Sequence, residues 1–407
     1  MHVSKVTDGI YQLSINIENM LFEGLWEIPN GVSLNSFIVK GEKTAIIDGV
    51  CGWDGVPEHF HSLLKKLDVE LTSVDYVIVN HMEPDHSGWI EDLKQINPDI
   101  KIFCSKKAAP MLDAFFDHTE NITIVGDGDS LDLGGHVLEF YEIPNVHWPD
   151  TMATFDRTTG TLFSCDAFGS YGTVDENNYD DLLSEEKLQW YEEEAVRYYA
   201  NIVAAFSPFV TKAINKCGGL PIKIIAPGHG IVWRKDPMRI VNDYIRYVEC
   251  QKNPARKEVT IIWGSMYGMT EKGVNHMVDY LKKYQDLKVH VHQVPQTDWG
   301  QLLKSTWTSS GVILAMPTYE YKMFPPMAAA LEELGKKKVL NRHAFRIGSY
   351  GWSGGAQKEL DYITEKLRMQ WSFVEPVEFM GAPTAEDLKM IEGRLDELVE
   401  VISASAK

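Results

Sequence analysis

The sequence predicts an α/β chain in two parts: a layered β-sandwich flanked by helices, then a doubly wound parallel sheet of five strands. Three observations lead there. Short apolar runs broken by turn residues crowd the first part. Potential metal ligands stand directly after several of those runs. From Val259 onward, apolar strands alternate strictly with helical stretches.

At 407 residues the chain is too long for one ordinary domain, and two are expected, spanning residues 1–253 and 254–407. Hydrophobic residues make up 44% and charged residues 24%, a globular composition. The formal net charge of −19 argues against nucleic-acid binding, which needs Lys and Arg to neutralise phosphates. No apolar run approaches the roughly 20 residues that a membrane helix requires, and Met1–Asp8 has no apolar signal-peptide core. The five cysteines are scattered and form no CxxC pair, so neither a disulfide framework nor a zinc ribbon is expected. These features suit a reduced, cytoplasmic protein.

In the first part Gly9–Ile15, Ser33–Val39 and Thr44–Asp48 read as consecutive strands, broken at Asn30-Gly31 and Lys40-Gly41-Glu42. A helix over 56–67 and a strand over Val74–Val79 follow. Further strands are expected at Lys101–Cys104, Ile122–Val125, Val137–Ile143, Met152–Phe155, Leu162–Ser164 and Lys223–Ala226. Helices fit Trp89–Ile96, Ala108–Phe116, Glu185–Phe206 and Met238–Gln251. Lys252-Asn253-Pro254-Ala255 then reads as a hinge. In the second part the strands are Val259–Trp263, Val289–Gln293, Gly311–Ala315, His343–Gly348 and Phe373–Glu375. Helices are expected over 271–284, 299–305, 325–336, 354–370 and 384–403.

The densest chemistry is His81-Met82-Glu83-Pro84-Asp85-His86, directly after the run Val77-Ile78-Val79. Here His81, Glu83, Asp85 and His86 are four potential ligands within six residues. His147, Asp166 and His229 also follow apolar strands, so one rim of the sandwich can gather them. Four imidazoles and three carboxylates form a shell suited to two metal ions about 3.5–4 Å apart. Taken singly, a histidine or aspartate after a strand is more often a turn residue or a cap. It is the cluster at 81–86 that gives the other three their meaning. The remaining histidines lack such surroundings and are expected to be structural or exposed. Two divalent ions bring four positive charges, of which the three carboxylates cancel three. The mixed imidazole–carboxylate shell favours iron over redox-inert zinc.

The second part opens with a strand feeding Gly264-Ser265-Met266-Tyr267-Gly268-Met269-Thr270 and then a helix. Backbone N–H groups and the Ser265 and Thr270 hydroxyls are expected to surround a phosphate at that helix start. The loop is neither GxGxxG nor a P-loop. Two further strand-end loops, Met316-Pro317-Thr318-Tyr319-Glu320-Tyr321 and Ser349-Tyr350-Gly351-Trp352-Ser353-Gly354-Gly355, would surround the switch-point crevice of a sheet ordered 2-1-3-4-5. FMN would lie there, with Tyr319, Tyr321 and Trp352 against its ring.

With these motifs in place, the chain resembles the flavodiiron proteins along nearly its full length. The first domain is similar to the αββα metallo-β-lactamase-like sandwich, with His-x-Glu-x-Asp-His where the hydrolases carry His-x-His-x-Asp-His. The second is similar to flavodoxins. The resemblance implies that His81, Glu83 and His147 hold one iron, that Asp85, His86 and His229 hold the other, and that Asp166 bridges them. It implies two irons and FMN per subunit, reduction of O2 to water, of NO to N2O, or of both, and a head-to-tail homodimer or dimer of dimers. An electron donor such as rubredoxin or a reduced deazaflavin is also implied, as is the two-domain form without an appended rubredoxin or flavin-reductase module. Leu21-Phe22-Glu23-Gly24-Leu25-Trp26 is a candidate cover for the metal pocket or for the subunit contact, with ordinary core packing as its plain alternative.

Two other readings stay open on the residues alone. One is a binuclear metallo-hydrolase with a flavodoxin-like accessory domain, in which a metal-bound hydroxide attacks an ester or lactam. The other is an electron carrier that uses only the flavin.

Overall fold

The computed structural model describes residues 1–252 and 256–405. The chain divides into two compact units, Met1–Ile245 and Arg246–Lys407. Apart from Lys252, the hinge expected at Lys252–Ala255 lies outside the described residues.

The first unit contains strands β1 (His2–Thr7), β2 (Ile10–Ile17), β3 (Leu21–Phe22), β4 (Trp26–Glu27), β5 (Val32–Lys40), β6 (Thr44–Ile47), β7 (Tyr76–Val79), β8 (Lys101–Ser105), β9 (Ile122–Val125), β10 (Ser130–Asp132), β11 (Val137–Glu142), β12 (Met152–Asp156), β13 (Thr161–Cys165) and β14 (Ile224–Pro227). Its helices are α1 (Val56–Lys65), α2 (Pro84–Ser87), α3 (Ile90–Ile96), α4 (Ala109–Phe116), α5 (Glu185–Tyr198), α6 (Ser207–Cys217) and α7 (Pro237–Cys250), the last crossing the division between the units.

One sheet has seven strands in the order β1-β2-β5-β6-β7-β8-β9, and a second has five in the order β10-β11-β12-β13-β14. Alternation of side chains across each sheet decides what each face packs against. Phe37, Ala45, Ile47 and Ile78 from the first sheet meet Leu138, Phe140, Met152 and Phe163 from the second in a buried inter-sheet core. On the other face of the first sheet, Ile38, Ile46 and Val77 pack against Phe60, Leu63, Ile90 and Leu112 of α1, α3 and α4. Phe60 and Trp89 meet edge to face at 5.0 Å, a pairing worth about 0.5–1.5 kcal/mol beyond the area it buries.

Helix α5 starts where Ser184 accepts a hydrogen bond from the Lys187 N–H, with Glu185 and Glu186 favouring its first turn. The single long helix expected over Glu185–Phe206 is interrupted. A π-helical turn occupies Tyr199–Val203 and a tight 3-10 turn Ala204–Phe206. Periodicity alone did not reveal that break, because every residue of the π turn is buried.

The second unit contains β15 (Arg256–Trp263), α8 (Met269–Leu281), β16 (Lys288–Gln293), α9 (Trp299–Thr308), β17 (Ser309–Ala315), β18 (Thr318–Tyr319), β19 (Lys322–Met323), α10 (Pro325–Lys336), β20 (His343–Tyr350), α11 (Ala356–Lys366), β21 (Ser372–Phe373), β22 (Val377–Met380) and α12 (Ala385–Ser405). The main sheet is parallel and ordered β16-β15-β17-β20-β21, with β22 also on β20. The expected 2-1-3-4-5 order is therefore present, and its fifth place is filled by two short pieces. Val259, Ile261, Ile313, Phe345 and Ile347 pack against Val274 and Met277 of α8 and Ile391, Leu395 and Leu398 of α12.

Candidate metal centre

Strand ends deliver every ligand candidate. After β7, His81 and Glu83 precede α2, a four-residue helix started by Pro84 that carries Asp85 and His86. The loop after β11 brings His147, the end of β13 brings Asp166, and the end of β14 brings His229. All seven fall into facing groups: His81, Glu83, His147 and Asp166 form one, and Asp85, His86 and His229 form another. Within each group the ligand atoms lie no more than 4.8 Å apart.

Asp166 stands between them. Its Oδ2 lies 3.2 Å from His81 Nε2 and 3.3 Å from His147 Nε2. Its Oδ1 lies 2.9 Å from His86 Nε2 and 3.2 Å from His229 Nε2. Glu83 Oε2 is 2.8 Å from His147 Nε2, and Asp85 Oδ2 is 3.3 Å from His229 Nε2. All four imidazoles thus turn Nε2 inward.

Hydrogen bonds outside the ligands fix those rings. His229 Nδ1 lies 2.7 Å from the Ser33 carbonyl. Only an N–H can face a carbonyl, so a hydrogen sits on Nδ1, and Nε2 is the atom left to meet a cation once it gives up its own proton. Asn35 holds the turn around His229, donating from Nδ2 to the Pro227 and Gly230 carbonyls at 3.0 and 2.9 Å. Asp150 accepts the Met82 N–H at 2.8 Å and stands 3.4 Å from His81 Nδ1. Gly228 is needed for space, since a Cβ there would come within 2.7 Å of His86 Cε1.

The electrostatics match a cation site. Burial opposes ionisation of Asp166 and Glu83, yet the surrounding histidines outweigh it and hold both carboxyls below the usual carboxylate range. Burial likewise opposes charge on His147 and His229, but Asp166 with Glu83 or Asp85 pushes them up to about 9 and about 10. Both Asp85 carboxylate oxygens, Asp166 Oδ2 and His229 Nε2 are buried without hydrogen-bonding geometry. Buried anions in that condition require cations, and imidazoles with carboxylates suit iron. The residues therefore fit a pair of metal ions.

Aromatic side chains wall the site. Phe22, on the β3–β4 hairpin, packs edge-on to His229 at 5.7 Å between ring centroids, and Tyr198 lies 5.5 Å from the same ring. Trp148 meets His81 at 5.1 Å. Sequence reasoning singled out the hairpin segment but missed Asp150, Ser33, Asn35 and Tyr198. Asp150 had one signal, three positions beyond His147; the others had none, because their roles arise only from long-range contacts. Among the described residues, none of the histidines outside the predicted set joins a ligand group.

In the second unit a cavity of about 350 Å³ opens at the carboxyl ends of the parallel strands, within the size range of cofactor pockets. Ser265, Met266, Tyr267 and Met269 line it from the first loop, Pro317, Thr318, Tyr319 and Glu320 from the second, and Ser349, Tyr350, Gly351 and Trp352 from the third. Gly381, after β22, joins them and was not anticipated. Gly268, Thr270, Tyr321, Ser353 and Gly354 stand off the lining. Thr270 is fully buried, and its hydroxyl shares a 2.9 Å hydrogen bond with Ser349, tying the start of α8 to the end of β20. Tyr321 accepts a hydrogen bond from Trp352 Nε1 at 3.2 Å, joining the second and third loops. The start of α8 offers N–H groups to an anion, and the exposed rings of Tyr267 and Trp352 suit a flat aromatic ligand. The cavity fits FMN.

Comparison with known proteins agrees. Residues 32–230 match a family described as ODP family beta lactamase. A nitric oxide reductase of Moorella thermoacetica is 31% identical over 389 residues, covering 94% of this chain and 95% of the relative. An anaerobic nitric oxide reductase flavorubredoxin of Aeromonas hydrophila is 34% identical over 347 residues, covering 84% of this chain but 68% of the longer relative. Rubredoxin oxygen:oxidoreductase from the anaerobe Desulfovibrio gigas superposes with a TM-score of 0.92 at 25% identity, over 99% of both chains. A mutant of the flavo di-iron protein from Thermotoga maritima gives 0.88 at 29% identity, over 98% of both chains. With its ligand set, its flavodoxin-like sheet and these relatives, the chain belongs to the flavodiiron proteins.

Proposed function

We propose that the chain is an FMN- and diiron-dependent reductase of nitric oxide, of dioxygen or of both, forming N2O and water respectively. One observation carries the reading: the two oxygens of Asp166 face two separate histidine sets, one of which includes the carboxylate of Glu83. That arrangement supports a binuclear redox centre over a hydrolytic one, because the added anion favours oxidised iron.

His81, Glu83 and His147 would hold one iron, Asp85, His86 and His229 the other, with Asp166 shared. Two irons bound there would supply electrons in pairs, which limits one-electron leakage to superoxide. FMN in the second-unit cavity would supply the electrons that follow. The chain's own residues do the rest. Phe22, Trp148 and Tyr198 exclude bulk water around the ligands. Burial, reinforced by Asp166, keeps the Tyr198 hydroxyl protonated well above its ordinary range, so it retains a proton beside the site. Ser33, Asn35 and Asp150, behind the ligand candidates, hold His229 and His81 in orientation through the hydrogen bonds described above.

Small redox proteins such as rubredoxin, or a reduced deazaflavin, are the donors this reading implies. A head-to-tail homodimer, or a dimer of such dimers, would bring a partner's flavin to each metal centre. Among the described residues no helix is long and apolar enough to cross a membrane, and we place the reaction in the cytoplasm.

The test is the visible spectrum and metal content of the purified protein, followed by anaerobic stopped-flow oxidation of the reduced form by each gas. Flavin bands with about two irons per chain and rapid oxidation are expected. A colourless zinc protein would instead support the metallo-hydrolase reading.

A further inference from the structure

A small apolar cavity, walled mostly by buried residues, lies in the first unit between the outer face of the second sheet and helices α6 and α7. Its walls include Val146, Ala153, Leu162, Ala167, Val210 and Ala213. Two of these adjoin metal-ligand candidates in the chain: Val146 precedes His147, and Ala167 follows Asp166. The cavity therefore backs directly onto the turns that carry one ligand of the first group and the residue shared by both.

The polar groups at its edge are already engaged. Ser164 donates to the Ala167 carbonyl at 2.6 Å, and the Tyr244 hydroxyl donates to the Gly169 carbonyl at 3.0 Å. A water molecule needs roughly two to four polar partners to be held in a cavity, and apolar cavities stay dry and take up apolar guests such as xenon. The space, about 20 Å³ for the centre of a water-sized molecule, exceeds the roughly 10–15 Å³ that one such molecule needs. A diatomic gas is of that order of size. Its apolar surface gains from leaving water.

We propose that this cavity is a holding site for a small apolar gas, nitric oxide or dioxygen, behind the His147 and Asp166 turns. The inference rests on the gas-reductase reading. Its physical prediction is separable, because xenon reports the cavity without any turnover. Ala213 lies on α6, away from every ligand, and Ala213→Leu fills the space. Ile214→Ala enlarges it.

The experiment uses crystals of the full, metal-loaded chain under xenon pressure, alongside steady-state kinetics with each gas. Xenon should occupy the cavity in the wild type, disappear in Ala213→Leu and gain occupancy in Ile214→Ala. In Ala213→Leu, kcat/KM for the gas should fall about three- to ten-fold, with kcat at saturating gas, iron content and FMN content unchanged. Absence of xenon from the wild-type cavity would overturn the proposal. So would an unchanged kcat/KM in an Ala213→Leu protein that has lost its xenon. Should Ala213→Leu fail to fold, Ile214→Ala decides, and xenon occupancy no higher than wild type would overturn the proposal. A wild type that binds xenon but reduces neither gas would leave the gas site standing and remove the functional reading.

Discussion

Glu83 Oε2 lies 2.8 Å from His147 Nε2, although 64 residues separate them in the chain. The carboxylate is 12% exposed and the imidazole 6%, so this is a nearly dry contact. Removing outer partners of a bound metal already costs about 10–100-fold in affinity or activity, and removing a direct ligand should cost no less. Glu83→Ala or His147→Ala should therefore abolish gas reduction while FMN stays bound. Turnover assays with both gases, with flavin absorbance recorded on the same samples, check this. Full residual turnover in either variant would count against the assignment.

Asp150→Asn retains a polar group beside Met82 N–H but loses the negative charge facing His81 Nδ1. Iron affinity at the group containing His81 should drop about 10–100-fold, with the fold intact. Competitive metal titration against a chelator measures the drop, and circular dichroism checks the fold.

Gly228→Ala places a Cβ 2.7 Å from His86 Cε1. Either the turn or the imidazole must move, at a cost of about 1–3 kcal/mol. Iron content should fall toward one ion per chain, because His86 belongs to only one of the two ligand groups. Metal analysis and a thermal melt would show both effects.

In the metal-free protein, His147 and His229 have folded-state values of about 9 and about 10 against an ordinary 6.5. A raised histidine stabilises the fold fully below pH 6.5 and loses that contribution as pH climbs through the folded-state value. Chelator-treated protein should therefore melt at progressively lower temperature from about pH 6.5 to 10. Over the same interval metal affinity should rise, since each ion displaces fewer protons from the imidazoles. Melts with and without iron should therefore draw apart across this range, the iron-free protein losing stability while the loaded one, whose imidazoles have no such proton to lose, holds level.

Thr270→Val removes the hydroxyl that links the start of α8 to Ser349. Although Thr270 does not line the cavity, two lining loops lose their tie, and FMN retention should weaken. Equilibrium dialysis of the variant tests this; retention equal to wild type would mean the link does not shape the site.

Much of this was readable in the chain because strand ends announce themselves. Val77-Ile78-Val79 is an apolar run, so the ligand candidates after it had to emerge at a rim, and the same logic applies to His147, Asp166 and His229. The parallel order of the second sheet followed from strict alternation. What escaped notice depends on contacts distant in sequence. Strand β1 packs mainly intermediate or exposed residues, so its alternation was faint. Asp150 acquires meaning only opposite His81, and Gly381 only when β22 pairs with β20. Thr270 looked like a phosphate ligand because it is a hydroxyl at a helix start; in the fold its side chain turns inward.

The bond between His229 Nδ1 and the Ser33 carbonyl joins positions 196 residues apart. Its acceptor is main chain, so no substitution at residue 33 can delete it outright. Whatever shifts the backbone at the start of β5 also rotates an imidazole that arrives from the far end of the unit's sequence. Lesions in this strand, which supplies no ligand candidate of its own, should therefore masquerade as active-site defects, impairing catalysis before they unfold the protein.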